Sequence, residues 1–209
     1  MIYLPDHFHE TSIGALHALI ESNSFATLIS PDGDDPLITH LPLLLDRERG
    51  AHGTLVGHFA RANPHWQRLQ ERPAVLAIFH GPHGYVSPAW YGVHPSVPTW
   101  NYAVVHAAGR ARLLHDPAAL ESITRRLVHT FESPRATPWQ PDLPAGFQQQ
   151  MLRAIVGVEI DIERLSGKFK LSQNRTVDDR RRVIAALEEG GAADAELAAL
   201  MRSHVLGEV

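Results

Sequence analysis

Within nine residues, Gly167-Lys168-Phe169-Lys170-Leu171-Ser172-Gln173-Asn174-Arg175 gathers three cations, a hydroxyl and two carboxamides. Each of these groups donates to an anion. Arginine offers a planar fork to two phosphate oxygens, lysine a point charge, and serine, glutamine and asparagine neutral donors. Thr176 to Arg182 continues in a helical pattern, so its first amides are candidates for the same anion. A competing reading makes Lys168 and Lys170 solvated charges beside Glu159, Asp161 and Glu163, and pattern alone leaves the two readings even.

A second constellation is Gly57-His58-Phe59-Ala60-Arg61-Ala62-Asn63-Pro64-His65-Trp66, where a strand ends, an arginine and an asparagine follow, and a helix begins. Strand ends beside helix N-termini are common ligand sites. Asn63 also reads as a plain helix cap and Trp66 as packing, whereas Arg61 is harder to explain structurally. A third constellation pairs Tyr85-Val86-Ser87-Pro88-Ala89-Trp90-Tyr91 with Val97-Pro98-Thr99-Trp100-Asn101-Tyr102. Flat rings with Ser87, Thr99 and Asn101 between them suit a planar heterocycle such as isoalloxazine; the alternative is a hairpin with core aromatics.

Composition removes other chemistries. No cysteine is present, which excludes disulfide frameworks, thiolate metal sites and cysteine nucleophiles, so redox work requires a cofactor. The fourteen histidines do not fall at metal-motif spacings, although a single one, such as His40, His58 or His106, could ligate haem. Neither a nucleophile elbow nor a phosphate loop of the G-x-x-x-x-G-K-[ST] kind occurs. A net charge of -4 lacks the basic excess of a nucleic-acid binder. The N-terminus has no leader pattern and no apolar run reaches a membrane span, so a cytoplasmic protein is expected.

The elements that must position these residues follow from spacing. Glu10 to Asn23 reads as a short amphipathic helix, Phe25 to Ser30 and Leu37 to Leu45 as strands around a turn over 31–36, and Thr54 to Phe59 as a further strand. Pro64 to Arg72 is helical, and Ala74 to Phe79 is a strand that the Gly81-Pro82 dipeptide breaks. Thr99 to Leu114 suits a long strand with close backbone approach at Ala107, Ala108 and Gly109. Asp116 caps a helix from Pro117 to Glu132. Ser133 to Pro144, with four prolines and Trp139, reads as an ordered lid whose aromatic needs burial. Val156 to Glu163 alternates as a half-buried strand, and helices interrupted at Gly190-Gly191 occupy 177–209. Six or seven hairpin-connected strands with inserted helices predict a mainly β chain, an antiparallel barrel with peripheral helices.

In order along the chain, Tyr3, Pro5, His7 and Phe8; His40-Leu41-Pro42; Gly57-His58 with Ala60 to Pro64; Gly81-Pro82-His83 with Tyr85, Ser87-Pro88 and Trp90-Tyr91; Pro98 to Tyr102 with His106 and Gly109; and Lys168 with Lys170 to Arg175 resemble the PaiB-like family of FMN-binding negative transcriptional regulators. The resemblance reaches to about Arg182. It implies FMN as cofactor on an antiparallel split β-barrel, similar to flavin reductases and pyridoxamine phosphate oxidases, and a homodimer with flavin sites at its interface. The run from Lys170 would then serve a neighbouring subunit's flavin or lock the dimer.

With the three constellations, it makes His40, His58, Arg61, Asn63, Ser87, Trp90, Thr99, Trp100, Asn101, Lys170, Ser172, Gln173 and Arg175 the expected cofactor-binding residues. No catalytic residue is assigned. Residues 1–182 are expected to form the flavin domain, with 183–209 a helical extension packed on it. Two alternatives stay open, an oxidoreductase using NAD(P)H and a small acceptor, and a haem-binding split barrel. Direct DNA binding would have to use Lys168 to Arg182, with six cations against Asp178 and Asp179, and the net charge does not support it.

Overall fold

The computed structural model describes residues 2–31 and 33–207; Met1, Asp32, Glu208 and Val209 lie outside the described residues, Asp32 within the turn expected over 31–36. Among them are eight strands: β1 (His9–Glu10), β2 (Phe25–Ser30), β3 (Leu37–Pro42), β4 (Leu44–Asp46), β5 (Thr54–Ala60), β6 (Ala74–Val86), β7 (Thr99–Leu114) and β8 (Ile155–Lys170). Six α-helices accompany them: α1 (Ile13–Ser22), α2 (His65–Glu71), α3 (Pro117–Glu132), α4 (Ala145–Arg153), α5 (Val177–Glu188) and α6 (Ala192–Met201). The sheet order is β3-β2-β6-β7-β8-β5-β4, with β1 also on β8. It is antiparallel and open: the mainly β arrangement with peripheral helices is the one the pattern predicts, and the split barrel is the one the resemblance implies.

The chain divides into two compact units, Met1–Ser22, His80–Val105 and Ser166–Val209 forming unit 1, and Asn23–Phe79 with His106–Leu165 forming unit 2. In unit 2, β5 pairs β8 from Thr54↔Asp161 to Ala60↔Ile155, which puts Leu55, Ile160, Phe59 and Val156 into the core. Asp116 Oδ2 accepts the Ala119 amide at 2.9 Å and Pro117 occupies the first turn, so α3 starts where its sequence says. Its Ile123 and Leu127 pack with Leu44, Val56 and Leu114. Two glycines permit the close layers. A Cβ on Gly109 would lie 2.1 Å from the Asp161 carbonyl oxygen, and one on Gly157 would lie 3.0 Å from both Ile123 and Leu120.

In unit 1, β1 joins β8 at His9↔Lys168 and Glu10↔Gly167. Helix α1 buries Leu16, Leu19 and Ile20 along one face, at the spacing the sequence shows. Helices α5 and α6 bury Val183, Ile184, Leu187, Leu197 and Met201, and α6 sits on Gly84, where a Cβ would meet Leu197 at 2.9 Å.

Several sequence expectations need correction. Gly81-Pro82 does not break its strand: β6 runs from Ala74 to Val86, and Gly81 marks a close approach instead, since a Cβ there would meet Leu19 at 2.9 Å and the Ala103 carbonyl oxygen at 3.2 Å. The strand expected over 37–45 is two, β3 and β4, divided at Leu43. Trp139 is 48% exposed, so the proline-rich stretch does not bury its aromatic; its amide is held by Glu132 Oε2 at 2.8 Å. Helix α4 follows it unforeseen, because its polar face outweighs a short apolar one. Strand β8 continues to Lys170, so the first part of the cationic run is strand and not loop.

Candidate functional site

Unit 1 collects the expected residues from 87 to 101 and from 170 to 175. Lys168, at the end of β8, is 8% exposed; its Nζ donates to the Tyr3 carbonyl at 2.9 Å and lies 4.8 and 5.6 Å from the Tyr3 and Tyr102 ring centroids. It is therefore no solvated surface charge. Lys170 Nζ donates to the Trp100 carbonyl at 2.6 Å and to Thr99 Oγ1, which ties the end of β8 to the start of β7. Burial first, and the charge of Lys168 second, hold its pKa below the usual lysine value.

Beyond β8 the chain turns through Ser172, the only non-glycine with positive φ among the described residues, at 66°. That conformation is strained for a residue with a Cβ, and the surroundings hold it. Ser172 Oγ accepts from Asn101 Nδ2 at 2.9 Å, Gln173 Oε1 accepts the Leu171 amide at 2.7 Å, and Gln173 Nε2 donates to the Phe169 carbonyl. Asn101 is 1% exposed; Nδ2 also reaches Met201 Sδ at 3.4 Å, while Oδ1 has no donor. Arg175 lies over the Tyr91 ring at 4.2 Å and donates to Ser96 Oγ at 3.4 Å. Ser87 Oγ caps the short turn Pro88–Trp90 through the Ala89 amide, and Trp90 is half-buried within that turn.

The N-terminus of α5 serves its own chain. Thr176 Oγ1 accepts the Asp179 amide at 3.1 Å, and buried Asp179 accepts the Gly92 amide at 2.7 Å. Asp178 and Asp179 fill the first turn, which disfavours an anion there. Facing outward instead are two aromatics, Trp100 at 55% and Tyr85 at 47% exposure, edge to face with centroids 6.2 Å apart.

Unit 2 carries the remaining four. Arg61 donates through Nε to the Arg153 carbonyl at 2.7 Å and through Nη2 to the Ile155 carbonyl at 2.8 Å, so part of its fork closes the start of β8. Asn63 holds the entry to α2: its Oδ1 accepts the His65 amide at 3.0 Å and its Nδ2 donates to Thr39 Oγ1 at 3.0 Å. Spacing gave no sign of the buried chain beyond it, in which His65 Nδ1 meets Thr39 Oγ1 at 2.8 Å and Nε2 meets Ser30 Oγ at 2.7 Å, because its members lie on three separate elements. His58 Nδ1 is buried without a partner and burial lowers the ring's pKa. His40 is exposed and stacks on Phe25 at 6.4 Å.

Residues 2–164 match the family described as "Putative FMN-binding domain". The chain belongs to this family. A curated relative, "Protease synthase and sporulation protein PAI 2" of Bacillus subtilis (strain 168), is 35% identical over 189 residues, 90% of this chain and 89% of that one, so this member of the FMN-binding domain family is also a PaiB homologue. An uncharacterized protein of Emericella nidulans is 33% identical over 91% of this chain and 92% of its own length. Among solved structures, an FAD and haem binding protein from Mycobacterium smegmatis superimposes with a TM-score of 0.62 at 18% identity, covering 88% of this chain and 80% of that one. The flavocytochrome Anf3 from Azotobacter vinelandii gives 0.60 at 18% identity over 81% and 70%. These two share the fold.

FMN is thus the cofactor of this FMN-binding domain, and the residues present fit it. A flavin needs an aromatic plate, hydrogen-bonding groups for the ring edge and cationic donors for the phosphate. Unit 1 supplies the open indole of Trp100, the Thr99 hydroxyl and an ammonium with one of its three protons uncommitted. Arg61 in unit 2 uses two of five N–H groups on carbonyls and retains the others.

Proposed function

We propose that this chain holds FMN and acts as a flavin-dependent regulator, a cytoplasmic homodimer that works on gene expression through a protein partner. The observation that carries this reading is the use of the basic run Lys168–Arg182. Lys168, Lys170 and Arg180 donate to backbone carbonyls of their own unit, and Arg175 lies over Tyr91. With four of its six cations pinned within their own unit, the run does not form the row of solvated charges that neutralising many backbone phosphates at once requires. The PAI 2 relative carries protease synthase and sporulation in its name, which supports a regulatory role.

Bound FMN would supply a ring that accepts one or two electrons. In this reading Trp100 and Thr99 of unit 1 meet a flavin ring, with Ser87 and Trp90 beside them, and Lys170 is a phosphate contact; Asn101, Ser172, Gln173 and Arg175 shape the turn that presents Lys170. Arg61, with His40, His58 and Asn63, is what unit 2 by itself offers to a flavin, Arg61 as an anion donor. Residues 1–182 form the flavin-binding part and 183–209 its extension, a boundary that falls inside α5. Among the described residues no helix is long and apolar enough to cross a membrane.

An uncharged sheet face supports the homodimer. Ile38, Ile29 and Leu76 line up across β3, β2 and β6, with His40, Thr27 and Ile78 in the next row and Phe25 and Pro42 beyond. Phe25 is 67% and Ile38 54% exposed, and neither β2 nor β3 contains a charged residue. Such a face is suited to a copy of itself.

The test is the visible spectrum of the purified protein, followed by denaturation and chromatography of what is released. FMN in about one equivalent per chain is expected, from the single site assigned to each chain. Release of FAD or haem alone, or of nothing after reconstitution, would sink the reading. Bleaching of the flavin by NADH or NADPH under anaerobic conditions would replace regulation with an oxidoreductase. A salt-sensitive gel shift with DNA would replace the protein partner with direct binding.

A further inference from the structure

Unit 1 contains a second concavity, a cavity of about 240 Å³ between the first strand residues and the last turn of the described chain. Phe8, Glu10, Phe169, Arg180, His204 and Val205 line it. It is smaller than the roughly 300–1,000 Å³ typical of pockets for drug-sized ligands, so it suits a ligand smaller than FMN.

The charges on its wall are unequal. Glu10 is fully engaged, because Oε1 accepts the Ser12 amide at 2.6 Å and Oε2 meets His204 Nε2 at 3.2 Å. Arg180 is held rigidly by carbonyls, Nε on Ser172 and Nη1 on Val205, both at 3.2 Å, and Nη2 on Gln173. Three of its five N–H groups are used and two remain, and among the described residues no carboxylate pairs with it. Each of the three nitrogens donates once, which fixes the guanidinium and leaves one N–H on Nη1 and one on Nη2 as preorganised donors for an anion. Phe8 and Phe169, 7% and 2% exposed, are the aromatic part of an otherwise mainly polar wall, and the His204 ring lies 5.1 Å from that of Phe169.

We propose that this cavity binds a small organic carboxylate, with its headgroup on the two remaining N–H groups of Arg180 and its apolar body between Phe8 and Phe169. The bound molecule bridges residues 8–10 to residues 204–205 and so clamps the two ends of unit 1 together. Gln173 also lines the cavity, which therefore adjoins the turn that presents Lys170, but the contacts to Arg180, Phe8 and Phe169 do not require FMN.

Calorimetric titration of the full chain, loaded with FMN where it holds it, tests the site with benzoate, benzamide and inorganic phosphate. Benzoate is expected to bind one per chain with a Kd below about 1 mM, and benzamide at least about tenfold more weakly, since it lacks the charge-assisted pair. Val205→Trp fills the cavity and is expected to weaken benzoate by about tenfold or more while FMN content and melting temperature hold. Arg180→Lys removes the fork and is expected to weaken benzoate by about tenfold or more as well; if it fails to fold, the Val205 variant still decides. No saturable heat with benzoate up to about 10 mM overturns the proposal. So do benzamide binding as tightly, phosphate binding in place of benzoate, an unaffected Val205→Trp variant, or benzoate displacing FMN.

Discussion

Lys170 Nζ donates to the carbonyl oxygen of Trp100 at 2.6 Å, so the exposed indole and the half-buried ammonium are tied through a single backbone group. Lys170→Met keeps the stem and removes the charge. FMN affinity is expected to fall by about tenfold or more, the value of one charge-assisted hydrogen bond. Quenching of flavin fluorescence measures it, and an unchanged Kd would detach Lys170 from the cofactor.

The same lysine sets a pH limb. Its folded pKa lies below 10.5, so the folded chain releases the proton before the unfolded chain does. In that window the unfolded state binds more protons, and Lys170's contribution to stability rises with pH. FMN affinity should move the opposite way, declining as pH climbs through the lowered pKa and the ammonium is lost. The affinity limb should vanish in Lys170→Met, and a wild-type affinity flat from pH 7 to 10.5 would refute it.

Glu159 receives both arms of Arg49, at 2.9 and 2.8 Å, and a further contact from Arg112. The Arg49 hydrogen bond leads in holding its carboxyl below the usual 4.5. Its stabilisation is therefore complete above pH 4.5 and disappears as pH falls through the lowered value. Glu159→Gln is expected to lose about 1–2 kcal/mol at pH 7 and to show a shallower acid limb in urea melts. Parallel acid limbs for the two proteins would refute this.

His65 is 1% exposed, with both ring nitrogens on hydroxyls, and burial lowers its pKa and that of His58. Below pH 6.5 the unfolded chain takes up protons that the folded chain refuses, so stability should decline as pH drops from there. His65→Phe leaves Ser30 and Thr39 without that ring and is expected to cost about 2–3 kcal/mol at pH 7, with a flatter slope between pH 5 and 6.5. Equal slopes would assign the acid sensitivity to other groups.

Gly109→Ala places a methyl 2.1 Å from the Asp161 carbonyl oxygen, where backbone has to move. A loss of about 3 kcal/mol or more is expected in thermal or urea melts. Gly146→Ala, which meets nothing within 4 Å, is the matched control. Equal melts for both would contradict the packing of β7 on β8.

What the sequence revealed depended on range. Phe25 to Ser30, Thr99 to Leu114 and Pro117 to Glu132 were legible to the residue, since β-branching, alternation and an Asp-Pro cap act locally. Gly81-Pro82 misled because a glycine demanded by a neighbouring carbonyl looks the same, in one dimension, as a glycine in a turn. Arg61, Lys170 and Trp100 were picked out by type, but their carbonyl partners carry no sequence signature. Arg180 passed as one cation in a basic stretch, for what distinguishes it is the fixed carbonyl fork and the cavity, with Phe8 and His204 coming from opposite ends of the chain.

The pairing of His9 with Lys168 and of Glu10 with Gly167 has a consequence for biosynthesis. As the chain leaves the ribosome, β1 emerges long before its partner strand β8. Unit 1 gathers three stretches of which the last starts at Ser166, so it cannot close before that stretch is made, whereas unit 2 has all its residues by 165. Phe8 and the apolar face of α1 therefore wait uncovered until the last stretch of unit 1 is made, which makes the segment that carries them a target for a chaperone during synthesis.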